Sequence, residues 1–235
     1  MQIIKFDSTV NTTVCKNRKI EYIVVHYTAG ISSKEGSALA TAKYFAKGNV
    51  KASSDFIIDD KTVIQYNTDL QNRYSWHCGG SKLKNSRGGK FYKECTNANS
   101  IGVELCSTSY TGKVEKPNSK EWYFTTFVEN NAKQLIAALM YQYNIDLNHV
   151  IRHYDATGKF CPAIIGWNID SGHESYWLDF KESLNLEYKD IVIELLKKEN
   201  ERLVNDKEKL TTDINNIKTS LQNIEREIAY IKNKL

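Results

Sequence analysis

The sequence predicts an α/β domain, with a mixed central sheet flanked by helices, followed by a C-terminal coiled-coil helix. Three observations predict it. Over the first 186 residues, short runs of β-branched and aromatic residues alternate with segments of helical periodicity. Near residue 187 the composition changes: all four tryptophans, all five histidines, all five cysteines, every glycine and both prolines lie upstream. Beyond that point apolar residues recur at heptad spacing. The expected organisation is a domain over 1–186 and an oligomerisation helix over 187–235.

Residues 22–27 (YIVVHY), 55–59 (DFIID), 62–66 (TVIQY), 100–106 (SIGVELC) and 150–154 (VIRHY) carry the strand signal. Residues 34–47 and 119–143 read as helices, the second with an apolar stripe of Phe124, Phe127, Ala132, Leu135 and Leu139. A shorter helix over 174–184 leads to the tail. The segment 78–99, rich in Gly, Ser, Lys and Asn, is a long loop, and such loops usually border a binding site. Strands interleaved with helices imply a sheet covered by helices.

In the tail, Ile193, Asn200, Lys207, Ile214, Leu221, Ile228 and Leu235 fall at position a. Leu196, Leu203, Leu210, Ile217, Ile224 and Ile231 fall at d. A helix from 193 to 235 would extend about 64 Å. A helix packed along its own domain usually carries a wider stripe than this one. Asn200 at a, with leucines at d around it, favours a parallel dimer, whereas the isoleucines at d farther along lean toward trimers or tetramers. The g-to-e′ pairs Asp213 with Lys218 and Glu227 with Lys232 suit a parallel arrangement. The expectation is a parallel homo-oligomer, dimer first.

Lys and Arg number 32 against 28 Asp and Glu, a net charge of +4 too mild and interspersed to argue for nucleic acid. No apolar run is long enough to insert into a membrane. The first residues show no basic region followed by an apolar one, so synthesis in the bacterial cytoplasm without a signal peptide is expected. Five irregularly spaced cysteines then read as reduced thiols. Cys15, Cys78, Cys95 and Cys106 fit small buried hydrophobes. The P-loop, dinucleotide, H-E-x-x-H, zinc-deaminase and G-x-S-x-G patterns are all missing.

What remains is histidines at strand ends. His26 closes an apolar strand, and His153 holds the equivalent place eight residues before Cys161. Strand ends opening into loops are where open α/β sheets bind ligands. Two imidazoles and a thiolate suit Zn²⁺, with the fourth position left for water. A copper site of this type usually wants an axial Met, and the only methionines are Met1 and Met140, the latter inside a helix. From spacing alone, a zinc site and a pair of ordinary partly buried histidines both stand.

The segments IEYIVVHYTAG, SSDFIIDDKTVIQ, WHCGG, NSIGVELC and VIRHYDATGKFCPA, in this order, resemble the type 2 N-acetylmuramoyl-L-alanine amidases over roughly residues 18–185. That family includes phage endolysins, bacterial autolysins and peptidoglycan recognition proteins. The resemblance implies that His26, His153 and Cys161 are zinc ligands, Lys159 the catalytic lysine and Glu104 the catalytic glutamate. It implies hydrolysis of the amide between the lactyl group of N-acetylmuramic acid and L-alanine in peptidoglycan. A phage or prophage endolysin, acting on the wall of a Gram-positive host after release, is the expected source.

One departure stands out. A branch of the family places a catalytic tyrosine where this chain has Ser54, and often a histidine where it has Asp55. That removes a tyrosine-assisted mechanism and puts the weight on Glu104. Asp55 is placed to contact substrate or a group behind the site, and His77 reads equally as a substrate contact or a structural turn residue. His149 reads as a surface histidine, and Asp155 as orienting His153 or ordering the following loop. Two rival readings are a peptidoglycan-binding module without catalysis and a metal-independent hydrolase using Cys161 and His153.

Overall fold

The computed structural model describes residues 2–79, 82, 87–116 and 119–234. Residues 80–81 and 83–86 of the expected loop, and Leu235 of the heptad seam, lie outside the described residues. The strands are β1 (Gln2–Lys5), β2 (Thr12–Val14), β3 (Tyr22–Tyr27), β4 (Phe56–Ile58), β5 (Thr62–Gln65), β6 (Arg73–Ser75), β7 (Ser100–Leu105), β8 (Thr108–Ser109), β9 (Trp122–Tyr123) and β10 (Val150–Arg152). The helices are α1 (Ser37–Phe45), α2 (Thr126–Tyr143), α3 (His153–Thr157) and α4 (Ser175–Lys232).

Six strands form the main sheet in the order β1-β5-β4-β7-β3-β10. Only β4 and β5 run antiparallel; the other neighbours are parallel. The central strands β3 and β7 are buried along their whole length, as strands covered on both faces must be. Helix α1 packs on β4 and β5, and α2 on β7 and β4. This is the mixed, helix-flanked sheet that the sequence predicts.

Asp59 joins two of these elements. Its Oδ1 accepts the Lys61 and Thr62 N–H groups at 3.0 and 2.8 Å, closing the turn between β4 and β5. Its Oδ2 accepts the Gly36 and Ala38 N–H groups at 2.9 and 3.1 Å, placing a carboxylate at the start of α1.

Three expected boundaries shift. The helix expected over 119–143 starts at Thr126: Trp122–Tyr123 pairs with β8, and the Thr125 hydroxyl accepts the Val128 N–H as N-cap. Phe127, assigned to its apolar stripe, is 65% exposed. The strand expected over 150–154 stops at Arg152, because Asp155 Oδ2 takes the Arg152 N–H at 2.9 Å and begins α3. The short helix expected over 174–184 is instead the start of α4, where Trp177, Phe180 and Leu184 are buried.

The chain divides into two compact units, Met1–Lys189 and Asp190–Leu235. In the second unit every described residue beyond Leu195 is exposed, including the Ile and Leu residues at a and d. No helix is long and apolar enough to cross a membrane.

Candidate metal centre

His26 sits near the end of β3, where the β3–β7 register places it directly opposite Glu104. Side chains alternate along each strand, so both point to the same face of the sheet. Strand β10 lies on the other side of β3, and His153 follows it as the first residue of α3. The chain then reverses through Gly158, at φ 78. The Tyr154 N–H donates to the Cys161 carbonyl at 2.9 Å, which folds Cys161 back onto α3.

These elements bring His26, His153 and Cys161 together, all three buried. Nδ1 of His153 is 3.1 Å from Nδ1 of His26, and the Cys161 Sγ is 3.8 Å from that same nitrogen. The ligand atoms all lie within 4.8 Å of one another. A tetrahedral zinc ion with Zn–N near ~2.05 Å and Zn–S near ~2.3 Å spaces its ligands about 3.3 Å (N to N) and about 3.6 Å (N to S) apart. The donor set and its spacing fit that ion. Two imidazole nitrogens aimed at each other share at most one proton, and a thiol beside them gives a cation three converging donors.

Burial sets the proton affinities here. It holds His26 well below the usual histidine range, helped by His153, His77 and Lys159. It does the same to His153, where Lys159 and then His77 add to the effect. Both imidazoles are thus neutral, the form that ligates metal. Burial and the Glu104 charge push the Cys161 thiol up to about 12, with Lys159 opposing. Without a cation this sulfur stays protonated and is a poor nucleophile. Burial raises Glu104 to about 7 against the pull of Lys159 and His77, near the value that suits a proton shuttle at neutral pH.

A cavity of about 310 Å³ is lined by His26, His153, Cys161, Glu104 and the exposed Lys159. A larger one of about 570 Å³, with Tyr110, Phe124, Trp167 and Tyr176 in its wall, contains none of the predicted site residues.

The other candidate residues lie outside the first cavity or at its edge. Asp55 is fully buried, and its oxygens accept the Asn67 amide and the Gly102 N–H, each at 2.8 Å, so it does not reach the cavity. His77 borders the cavity, but its side chain is only 1% exposed and meets His26 Nε2 through Nδ1 at 3.1 Å. It lies beside the His26 ring in the wall of the same cavity. Asp155 binds the Arg152 guanidinium at 2.7 and 2.8 Å and makes no contact of this kind with His153. His149 stays partly exposed at the surface, with its ring 4.7 Å from that of Tyr22. Sequence reasoning missed the placement of His77, and Gly102 was its signal. A Cβ there would lie 2.6 Å from His77 Cγ, and an isolated glycine inside a strand marks such an approach.

Residues 16–164 match the family model described as N-acetylmuramoyl-L-alanine amidase. Among curated relatives, the N-acetylmuramoyl-L-alanine amidase CwlH of Bacillus subtilis is 34% identical over 63% of this chain and 50% of its own length. CwlA of the same organism is 30% identical over 75% of this chain and 54% of its own. The chain thus spans about half the length of these relatives. Among solved structures, the catalytic domain of XlyA superposes with a TM-score of 0.55 at 25% identity, over 78% of this chain and 99% of that one.

Proposed function

The chain belongs to the N-acetylmuramoyl-L-alanine amidase family, and from that membership we propose that it hydrolyses the amide between N-acetylmuramic acid and L-alanine in peptidoglycan, using zinc. The observation that carries the reading is the convergence of His26, His153 and Cys161 on the cavity that Glu104 and Lys159 also line. The three ligands would hold the ion, which supplies a polarised carbonyl and a water of lowered pKa. Glu104 accepts the proton of the attacking water and returns it to the leaving amine. Lys159, the exposed cation at the cavity wall, stabilises the negative charge that develops on the carbonyl oxygen.

Two alternatives fare worse. In a metal-independent Cys-His hydrolase, Cys161 would have to ionise beside its imidazole, yet burial and Glu104 hold the thiol near 12. A binding module without catalysis has no use for a buried glutamate raised to about 7 beside a three-ligand cluster.

For the whole chain, the reading is a phage or prophage endolysin that reaches the wall after release. Its residues 1–186 serve as the catalytic domain, and 187–235 join copies as a parallel coiled coil, dimer first. Ile193, Leu196, Leu203 and Leu210 are each about half exposed on the helix, a seam that a second copy would cover. Several catalytic heads on one rod raise the effective concentration at a repetitive wall. Wall-lysis assays with and without chelator test the reading, with identification of the new termini on the muropeptides. Lysis that persists undiminished after metal removal, or cleavage at another bond, would overturn it.

A further inference from the structure

Each imidazole can present either nitrogen to a metal, and the hydrogen bond made by the other nitrogen decides which one is free. His153 has no such partner, since its Nε2 is buried without a hydrogen bond. His26 has one. Its Nε2 lies 3.1 Å from Nδ1 of His77, and whether it donates or accepts there depends on where His77 keeps its own proton.

The surroundings of His77 decide that question. The Ser100 hydroxyl donates its single proton to the Thr96 carbonyl. Toward His77 Nε2, at 3.3 Å, that oxygen has only lone pairs to offer. When His77 carries a single ring proton, that proton therefore sits on Nε2, where the buried Asp55 carboxylate at 3.9 Å also favours it. Its Nδ1 is left as an acceptor. His26 must then donate from Nε2, and its Nδ1 lone pair faces His153 Nδ1 and the Cys161 Sγ.

We propose that His77 is a positioning residue for the metal site: it fixes the tautomer and ring orientation of His26 so that Nδ1 is the ligand atom. The ring of His77 is itself held. The Asn97 side-chain oxygen accepts the N–H groups of His77 and Cys78 at 3.0 and 2.7 Å, and the missing side chain of Gly102 leaves room for the imidazole. The relay thus runs from the Thr96 carbonyl through Ser100 and His77 to His26. The inference rests on the zinc reading of the site.

The test uses the full chain at pH 8. Zinc affinity is measured by competition with a chromophoric chelator for wild type, His77→Leu and His77→Asn, and the cobalt(II)-substituted proteins are compared by absorption. His77→Leu removes the acceptor and should weaken zinc by ~10–100-fold, the usual cost of losing an outer partner of a ligand. His77→Asn keeps an acceptor oxygen and should restore affinity to within about threefold, with a wild-type cobalt spectrum. In the metal-free wild type, ¹H–¹⁵N NMR should find the His26 proton on Nε2, a reading that stands even if the leucine variant does not fold. Unchanged affinity in His77→Leu, no rescue in His77→Asn, or a proton on His26 Nδ1 overturns the proposal. A wild-type chain that binds no zinc defeats instead the functional reading beneath it.

Discussion

His26 and Glu104 are cross-strand partners on β3 and β7, one a ligand of the candidate metal centre and the other its raised carboxyl. Their juxtaposition is a property of sheet register, so it does not depend on loop conformation. Sliding β7 by one residue would turn Glu104 to the opposite face. His153 approaches from the start of α3, directly after the neighbouring strand β10, while Lys159 and Cys161 come from the segment beyond α3. Sites built on strands hold their geometry better than sites built on loops.

Cys161→Ser should lose zinc and lytic activity together, because a hydroxyl replaces a thiolate donor. The loss in affinity is expected to exceed the ~10–100-fold typical of an outer partner. Metal analysis after dialysis and a turbidity assay on cell walls check it. A serine variant that keeps stoichiometric zinc and lyses walls normally would falsify the ligand assignment.

Glu104→Gln should retain zinc and bind wall, yet turn over about 10²–10⁴-fold more slowly, since an amide cannot take a proton. In the wild type the rate should fall at low pH as the carboxyl becomes neutral, with the bound ion moving that loss below the value of about 7 that burial sets in the metal-free chain. A variant as fast as wild type would move the base to another group.

Glu104 also ties stability to pH in the metal-free chain. Its folded pKa of about 7 lies above the ordinary 4.5, so the folded state holds this proton more tightly than the unfolded one. The stabilising contribution is full below about 4.5 and is lost as pH rises through about 7. Glutamine does not titrate. The stability advantage of Glu104→Gln over wild type should therefore grow across that window, measured by denaturant unfolding. A flat difference would mean that burial does not perturb this carboxyl.

Gly102→Ala should destabilise the chain by ~1–3 kcal/mol through overpacking, because the added carbon meets the His77 ring. Ser54 Oγ, at 2.8 Å from the same point, closes the other way out. The displaced ring should also loosen its contact with His26, so zinc affinity falls with stability. Calorimetry and chelator competition on the same preparation read the two effects. Wild-type values in both would show that the ring has room to move.

Light scattering on the full chain and on a version ending near Glu187 tests the tail. The full chain should be oligomeric at micromolar concentration and the shorter one monomeric. A trimer or tetramer would correct the number; a monomeric full chain would refute the coiled coil.

Part of the candidate site was legible in the sequence because His26 and Glu104 lie on strands with strong patterns. YIVVHY and SIGVELC announce buried central strands, and the functional residue in each stands near its end. Short elements were not legible: Thr12–Val14 and Arg73–Ser75 have only three residues each and owe their pairing to one another. Nor were the surroundings of Asp55 and His77. Asp55 meets Gly102 across 47 residues, and His77 meets His26 across 51, contacts of which the isolated Gly102 is the local trace. Asp155 captures Arg152, a pairing that depends on where the strand gives way to a helical turn.

The separation of the ligands along the chain has a bearing on when the ion can arrive. His26 is 127 residues from His153 and 135 from Cys161. During synthesis the first ligand leaves the ribosome long before the other two exist, so no nascent fragment short of Cys161 offers a complete socket. Closing so long a loop around an ion carries an entropic cost that the paired strands must already have met. Small zinc modules differ: in them the ion itself drives folding. On the proposed zinc reading, the sheet would form first and the ion would enter a finished socket, so a metal-starved cell should accumulate folded, inactive protein that later loading switches on.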